Sequence, residues 1–218
     1  YEYILGKNFK WIYGFMFKII TKFSIVIVCH SRLFDPKKSH EITPSRLNDN
    51  WIKNWNLPNL DKPRLSYVGR INPEKGIDNF INLYNKMNTN SELFIAGNTE
   101  KLTGTDHKIK SLGYISSEQE LVRTYDHCNI TILPSYTEAH PYVIEESLSR
   151  KRPVIIFEDI AYVKKNKKGV YIIKRDSNEI KEQIEWILKN YRSIQKEMDQ
   201  NDLPTMQKMV QQFSNILQ

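Results

Sequence analysis

Between Leu65 and Ile173 the chain alternates two patterns. Short, nearly unbroken apolar runs are separated by stretches in which apolar residues recur every three or four positions. The runs are Leu65-Ser66-Tyr67-Val68-Gly69, Leu93-Phe94-Ile95-Ala96-Gly97, Gly113-Tyr114-Ile115, Ile130-Thr131-Ile132-Leu133-Pro134, Pro153-Val154-Ile155-Ile156-Phe157 and Val170-Tyr171-Ile172-Ile173. Short length, β-branched content and flanking Gly or Pro predict strands. Helices are predicted over Ile77 to Met87, from a Ser116-Ser117-Glu118 cap to His127, from about Pro141, and from Ser177 through Leu188. Apolar strands alternating with helices require a parallel sheet covered on both faces, so the fold class is doubly wound α/β. Such sheets bind ligands at the carboxyl ends of their strands, which directs attention to the loops that follow the runs.

The flanks differ. Leu5, Phe9, Ile12, Met16, Ile19 and Phe23 form an apolar stripe, with Lys7, Lys10, Lys18 and Lys22 largely off it. This predicts an amphipathic helix with a basic outer face. It could dock on an anionic membrane or on another domain, and the plainest reading is a core-facing helix. Ser24 to Cys29 then reads as a buried strand. Residues 32–62 are polar and rich in Pro and Asn, hence loop and linker, with Trp51, Ile52 and Trp55 as anchors. The boundary of the sheet domain is therefore expected near residue 60. After Asp202 and Pro204 a polar, helical stretch runs to the end.

Charge and composition narrow the partners. The 218 residues are 40% hydrophobic and 26% charged, enough for a core, and carry a formal net charge of +7. A basic chain suits nucleotide diphosphates, nucleic acid or an acidic membrane face, and equally suits no special partner. Cys29 and Cys128 read as buried free thiols, and the scattered histidines offer no zinc spacing. Nothing approaches the roughly 20 apolar residues that span a bilayer, and no small-residue cleavage site marks a signal peptide. The expected compartment is the cytoplasm, with peripheral contact at the inner membrane face as an addition.

Two loops carry the candidate chemistry. Gly69-Arg70-Ile71-Asn72-Pro73-Glu74-Lys75-Gly76 leaves a strand and enters a helix, setting Gly69 and two cations where an anion would lie. Taken alone, Arg70 and Lys75 are better read as solvated loop charges. The second loop, Pro134 to Pro141, leads into a helix whose first N–H groups, on Tyr142, Val143 and Ile144, are expected to be free for a phosphate. Glu138 lies in that loop and Glu146 about one turn into the helix, where the helix dipole alone would favour one carboxylate better than two. The cations Arg150, Lys151 and Arg152 read as a solvated helix end balancing the dipole, or as a membrane-phosphate site.

The segments Val68 to Asp78 and Leu133 to Ile155 resemble the two signature stretches of the retaining, two-domain (GT-B) glycosyltransferases of family 4, and Glu138 and Glu146 match that family's E-x7-E motif. The resemblance covers about Leu65 to Ile173. It implies that Arg70 and Lys75 bind the diphosphate of a nucleotide-sugar donor, Glu138 the donor sugar and Glu146 the ribose hydroxyls. By the same resemblance the amides of Val143 and Ile144 support the diphosphate, Gly113-Tyr114-Ile115 border the nucleobase, and Gly97 falls at a strand-glycine landmark of the donor site. Cations and a helix N-terminus aimed at a departing diphosphate stabilise a charge-separated transition state. No Asp-x-Asp triplet is present, so no metal or other cofactor is expected. The family's Gly-Phe-Gly is here Ala139-His140-Pro141, which leaves His140 to touch the sugar or cap the helix, and Lys151 stands in place of a glycine. The implied protein is a hexosyltransferase acting on a surface-glycan or lipid-linked acceptor. Residues 1–60 would be the remnant of an N-terminal acceptor domain and a linker, and 61–218 the donor half, inactive without its partner half. A non-catalytic nucleotide-binding module is the alternative, a sugar-nucleotide epimerase a further one, and a nucleic-acid role has charge but no motif.

Overall fold

A computed structural model describes residues 26–28, 39–101 and 107–217. The chain divides into two compact units, Ser45–Lys208 and a smaller one to which residues 26–28, 39–44 and 209–217 belong. In the smaller unit β1 (Ile27–Val28) pairs in parallel with β2 (His40–Glu41). The expected helix over residues 5–23 and Cys29 lie outside the described residues. Among the described residues no helix is long and apolar enough to cross a membrane.

The larger unit opens with a short helix, α1 (Asp49–Ile52), inside the stretch expected to be linker. Asn48 caps it by accepting the Asn50 amide at 2.9 Å. Its Trp51 is fully buried, edge-on to Tyr125 at 5.8 Å, while Ile52 stays 41% exposed. Then come β3 (Arg64–Val68), α2 (Ile77–Lys86), β4 (Glu92–Ala96), β5 (Ile109–Gly113), α3 (Glu118–His127), β6 (Ile130–Leu133), α4 (Tyr142–Ser149), β7 (Val154–Phe157), β8 (Val170–Ile173), α5 (Ser177–Lys189) and α6 (Tyr191–Met198); a last helix, α7 (Met206–Leu217), belongs from Met209 onward to the smaller unit. Six strands make one parallel sheet in the order β5-β4-β3-β6-β7-β8. The doubly wound α/β reading holds. The apolar faces of α2, α5 and α6 (Phe80, Ile184, Ile194) join the strands in a single core.

The third strand differs from expectation by ending on Gly113 rather than starting there. It is an edge strand with Lys110, Ser111 and Leu112 exposed, so it shows no apolar run. At the sheet centre, Ser66 of β3 and Thr131 of β6 are fully buried and share a 2.9 Å hydroxyl contact, which Ser147 of α4 extends at 2.7 Å. Cys128 is buried and free, and burial pushes its thiol up to about 12, far from reactivity.

The cations after α4 are not a solvated end. Arg150 and Arg152 are 2% and 0% exposed. Arg150 grips the Asp126 carboxylate at 2.9 and 2.7 Å and donates to the carbonyls of Trp51, Lys53 and Asn54 at 2.9, 2.9 and 3.2 Å. Arg152 donates to Tyr125, Cys128, Asp126 and Arg150 carbonyls and, at 2.8 Å, to Asn56. Every carbonyl is an acceptor a planar guanidinium can reach, which is what makes two buried cations tolerable. These bonds fix residues 50–56 on the larger unit, which begins at Ser45.

Lys151 takes the left-handed conformation (φ 56°), with its amide donating to Leu148 at 3.0 Å and that of Arg152 to Ser147 at 2.9 Å. That is the helix ending that favours glycine, and Lys151 holds it with an ion pair to Asp199 at 2.6 Å. Replacing it tests the strain: Lys151→Gly should raise stability by about 1 kcal/mol, the left-handed penalty less a weak ion pair. A lower midpoint in denaturant unfolding would show the ion pair to be the larger effect.

Candidate functional site

Because β3 and β6 are adjacent, the loops leaving them meet. Glu74 accepts the Tyr136 amide at 2.9 Å. Lys75 reaches across to Glu138, Nζ to Oε1 2.6 Å, both side chains mostly buried. Ser135 donates to the same carboxylate oxygen at 2.6 Å. Gly76 makes the approach possible: its φ is 65°, and a Cβ there would stand 2.2 Å from the Pro134 carbonyl oxygen.

Other elements hold the second loop from outside. Tyr162, between β7 and β8, accepts the Glu138 amide at 3.1 Å and donates to the Glu138 carbonyl. Arg175, just past β8, donates to the Pro134 and Ser135 carbonyls at 2.9 and 3.0 Å and to Asp159 at 2.8 Å. Its guanidinium stacks 3.9 Å from the Tyr136 ring and 4.6 Å from that of Phe157.

Beside these loops lies a cavity of about 460 Å³ at the carboxyl ends of β3 and β4. Gly69, Arg70, Gly97, Tyr114 and Ile115 line it, with Arg46, Asn72 and Asn98. Beneath it the strand ends are laced by the Gly69 amide to Ala96 at 3.0 Å and the Gly97 amide to Gly113 at 2.8 Å. Gly97 is needed for contact within the protein, since a Cβ there would meet the Gly69 carbonyl at 2.2 Å. Tyr114 is 80% exposed.

Glu146 is completely buried. Its Oε2 accepts the Tyr125 hydroxyl at 2.7 Å, and Oε1 is bonded and ion-paired by Arg46. Burial first, and then the Glu146 charge, push the Tyr125 phenol well up, so it stays a donor. Burial alone would lower the Arg46 pKa, but the hydrogen bond and charge of Glu146 outweigh it and raise the value.

The sequence-predicted residues therefore fall into three groups. Gly69, Arg70, Gly97, Tyr114 and Ile115 share the cavity, with Gly113 below it. Lys75 and Glu138 pair with each other across the loops. Glu146, Val143, Ile144 and His140 belong to the start of α4. Two details differ there. Pro141 is the cap residue rather than the first helical one, and the Ile144 amide donates to its carbonyl at 3.1 Å. That leaves the Tyr142 and Val143 amides at the open end of the helix. His140 packs edge-on to Tyr142 at 5.5 Å with Nε2 3.9 Å from Glu145. Arg46, Tyr125, Tyr162 and Arg175 were not foreseen. Arg46 and Arg175 sit in aperiodic segments that carry no local signal, and Tyr125 reads from its helical spacing as core. Among the described residues no group of three or more His, Cys, Asp or Glu side chains is placed to hold a metal ion.

The sequence profile of "Glycosyl transferases group 1" matches residues 49–202. The chain belongs to this family. The match begins four residues after the edge of the larger unit and so takes in α1. Among solved structures, sucrose-phosphate synthase from Thermosynechococcus elongatus is similar at 17% identity and TM-score 0.74, over 99% of this chain and 64% of that one. Anabaena HepE in complex with UDP and glucose is similar at 13% identity and TM-score 0.70, over 94% and 66%. A mutant of S. aureus TarM in complex with fondaparinux, α-GlcNAc-glycerol and UDP is similar at 18% identity and TM-score 0.68, over 95% and 46%. The group 1 chain thus spans less than two thirds of each of these structures, and at such identities they speak for a shared GT-B type of fold. No curated protein matches the sequence.

The loop contact gives a direct test. Gly76→Ala should cost at least about 2 kcal/mol, from left-handed strain plus the clash with Pro134. An unchanged thermal midpoint would mean that the loops are not held at this distance.

Proposed function

We propose that this chain is the donor half of a retaining, metal-independent hexosyltransferase of family 4, which moves a sugar from a nucleotide-sugar to a surface-glycan or lipid-linked acceptor. The observation that carries the reading is the Lys75–Glu138 ion pair between the two loops, 2.6 Å long. The bond to be broken joins a sugar to a diphosphate. A carboxylate that orders sugar hydroxyls and a cation that takes up phosphate charge must then meet at one point, and here they do.

Arg70 and Lys75 neutralise the leaving diphosphate. The amide of Val143 and the N-terminal end of α4 add to that field, which acts more strongly on the departing charge than on the intact donor. Glu138, held by Ser135 and Tyr162, orders the sugar. Tyr114 and Ile115 border the base, and Glu146 faces the ribose side. With these cations in place no metal is assigned to the reaction. Transfer itself requires a second, acceptor-binding half that closes over the donor and excludes water.

Calorimetric titration with UDP, GDP, ADP and their common sugar conjugates, without added metal, tests this. One nucleotide should bind, about tenfold or more weaker in Arg70→Ala and in Lys75→Ala. Glu138→Ala should lose discrimination between the nucleotide and its sugar conjugate. A folded chain that binds none of these ligands would overturn the donor-site reading.

A further inference from the structure

The cavity wall holds a cation that neither signature loop supplies. Arg46 lies upstream of α1 and lines the cavity together with Arg70. Its Nε and one terminal nitrogen, Nη2, engage Glu146 Oε1. Trp51 and Tyr142 flank the guanidinium at 5.7 and 6.0 Å. A guanidinium has five N–H donors, and among the described residues Nη1 of Arg46 has no hydrogen-bond partner. The two partners are unequal: the Glu146 side chain is 1% exposed, whereas that of Arg46 is 47% exposed. The carboxylate is the fixed post, with Tyr125 on its other oxygen, and Arg46 is the arm that reaches the cavity.

We propose that Arg46 is a donor-binding residue, a further cation for the diphosphate of the nucleotide, and that Glu146 and Tyr125 hold it in place. The inference rests on the donor-site reading above. Two guanidiniums share one cavity at strand carboxyl ends, and among the described residues only Arg46 of the two is ion-paired to a carboxylate. Two guanidiniums beside one carboxylate leave one excess positive charge, which suits a diphosphate better than it suits a neutral sugar or base. The arrangement also settles the buried Glu146 charge, which would be costly without a cation.

The test compares nucleoside diphosphate with nucleoside: UDP with uridine, GDP with guanosine and ADP with adenosine, read by protein-observed NMR, which reaches weak affinities. Arg46→Gln should reduce the ratio of diphosphate to nucleoside affinity about tenfold and leave the nucleoside nearly unchanged. The double variant Arg46→Gln with Glu146→Gln removes the unpaired buried charge and should show the same loss of ratio, so a folding defect cannot imitate the result. An unaltered ratio in both variants would overturn the proposal while leaving the donor site standing. A rise in nucleoside affinity would overturn it too, by making Arg46 an obstacle to ribose. Failure of the unsubstituted protein to bind any of the diphosphates would overturn both readings together.

Discussion

The site depends on the pairing of β3 with β6. These strands come from opposite halves of the sheet and match only at Leu65 with Ile130 and Ser66 with Thr131. Beyond that point β3 runs on beside β4 to Val68 and β6 beside β7 to Leu133, and in the loops that follow them Lys75 meets Glu138. Register at this seam cannot drift. A slip of one residue would turn Ser66 and Thr131 towards opposite faces, part their hydroxyls and leave polar groups buried without partners. The loops are therefore brought together by the sheet's own ladder and then secured by Gly76, Ser135, Tyr162 and Arg175.

A second constraint is electrostatic. Glu146, Arg150 and Arg152 all sit at or near full burial along or just after one short helix. Charges in that position persist only where neighbours supply geometry as well as opposite charge. Arg150 finds its partners in Asp126 and the carbonyls of a segment with little regular structure, Arg152 mainly in carbonyls at the end of α3, and Glu146 finds Arg46 and Tyr125. The same helix thus organises the edge of the domain on one side and the cavity wall on the other.

Much of this was legible in the residue pattern. Strand β7 and helices α2, α3 and α5 fall within a residue or so of expectation, because each has a clear period and a clear cap: Ser117 and Asp176 both accept amides of the following turn. Strand β5 was misplaced because an edge strand lacks the apolar run by which buried strands are recognised. The loop residues Arg70, Lys75 and Glu138 could be singled out since each follows a strand. What local pattern could not show was pairing at a distance. The Lys75–Glu138 contact spans 63 residues and the Arg46–Glu146 contact 100, and neither partner's surroundings advertise the other. Arg150 and Arg152 misled for a related reason. Adjacent cations look solvated until their partners are located: the α3 end and Asp126 for both arginines, and carbonyls almost a hundred residues upstream that Arg150 above all depends on.

Those carbonyls also decide where the chain can be cut. A polypeptide trimmed to begin at residue 61 would retain all six strands and both signature loops. It would lose the acceptors at Trp51, Lys53, Asn54 and Asn56, which would leave Arg150 with the Asp126 carboxylate alone and Arg152 one acceptor short. A protease that nicked this stretch would do comparable damage. The edge of the larger unit is thus drawn by hydrogen-bond acceptors on an irregular segment that precedes the first strand of the sheet.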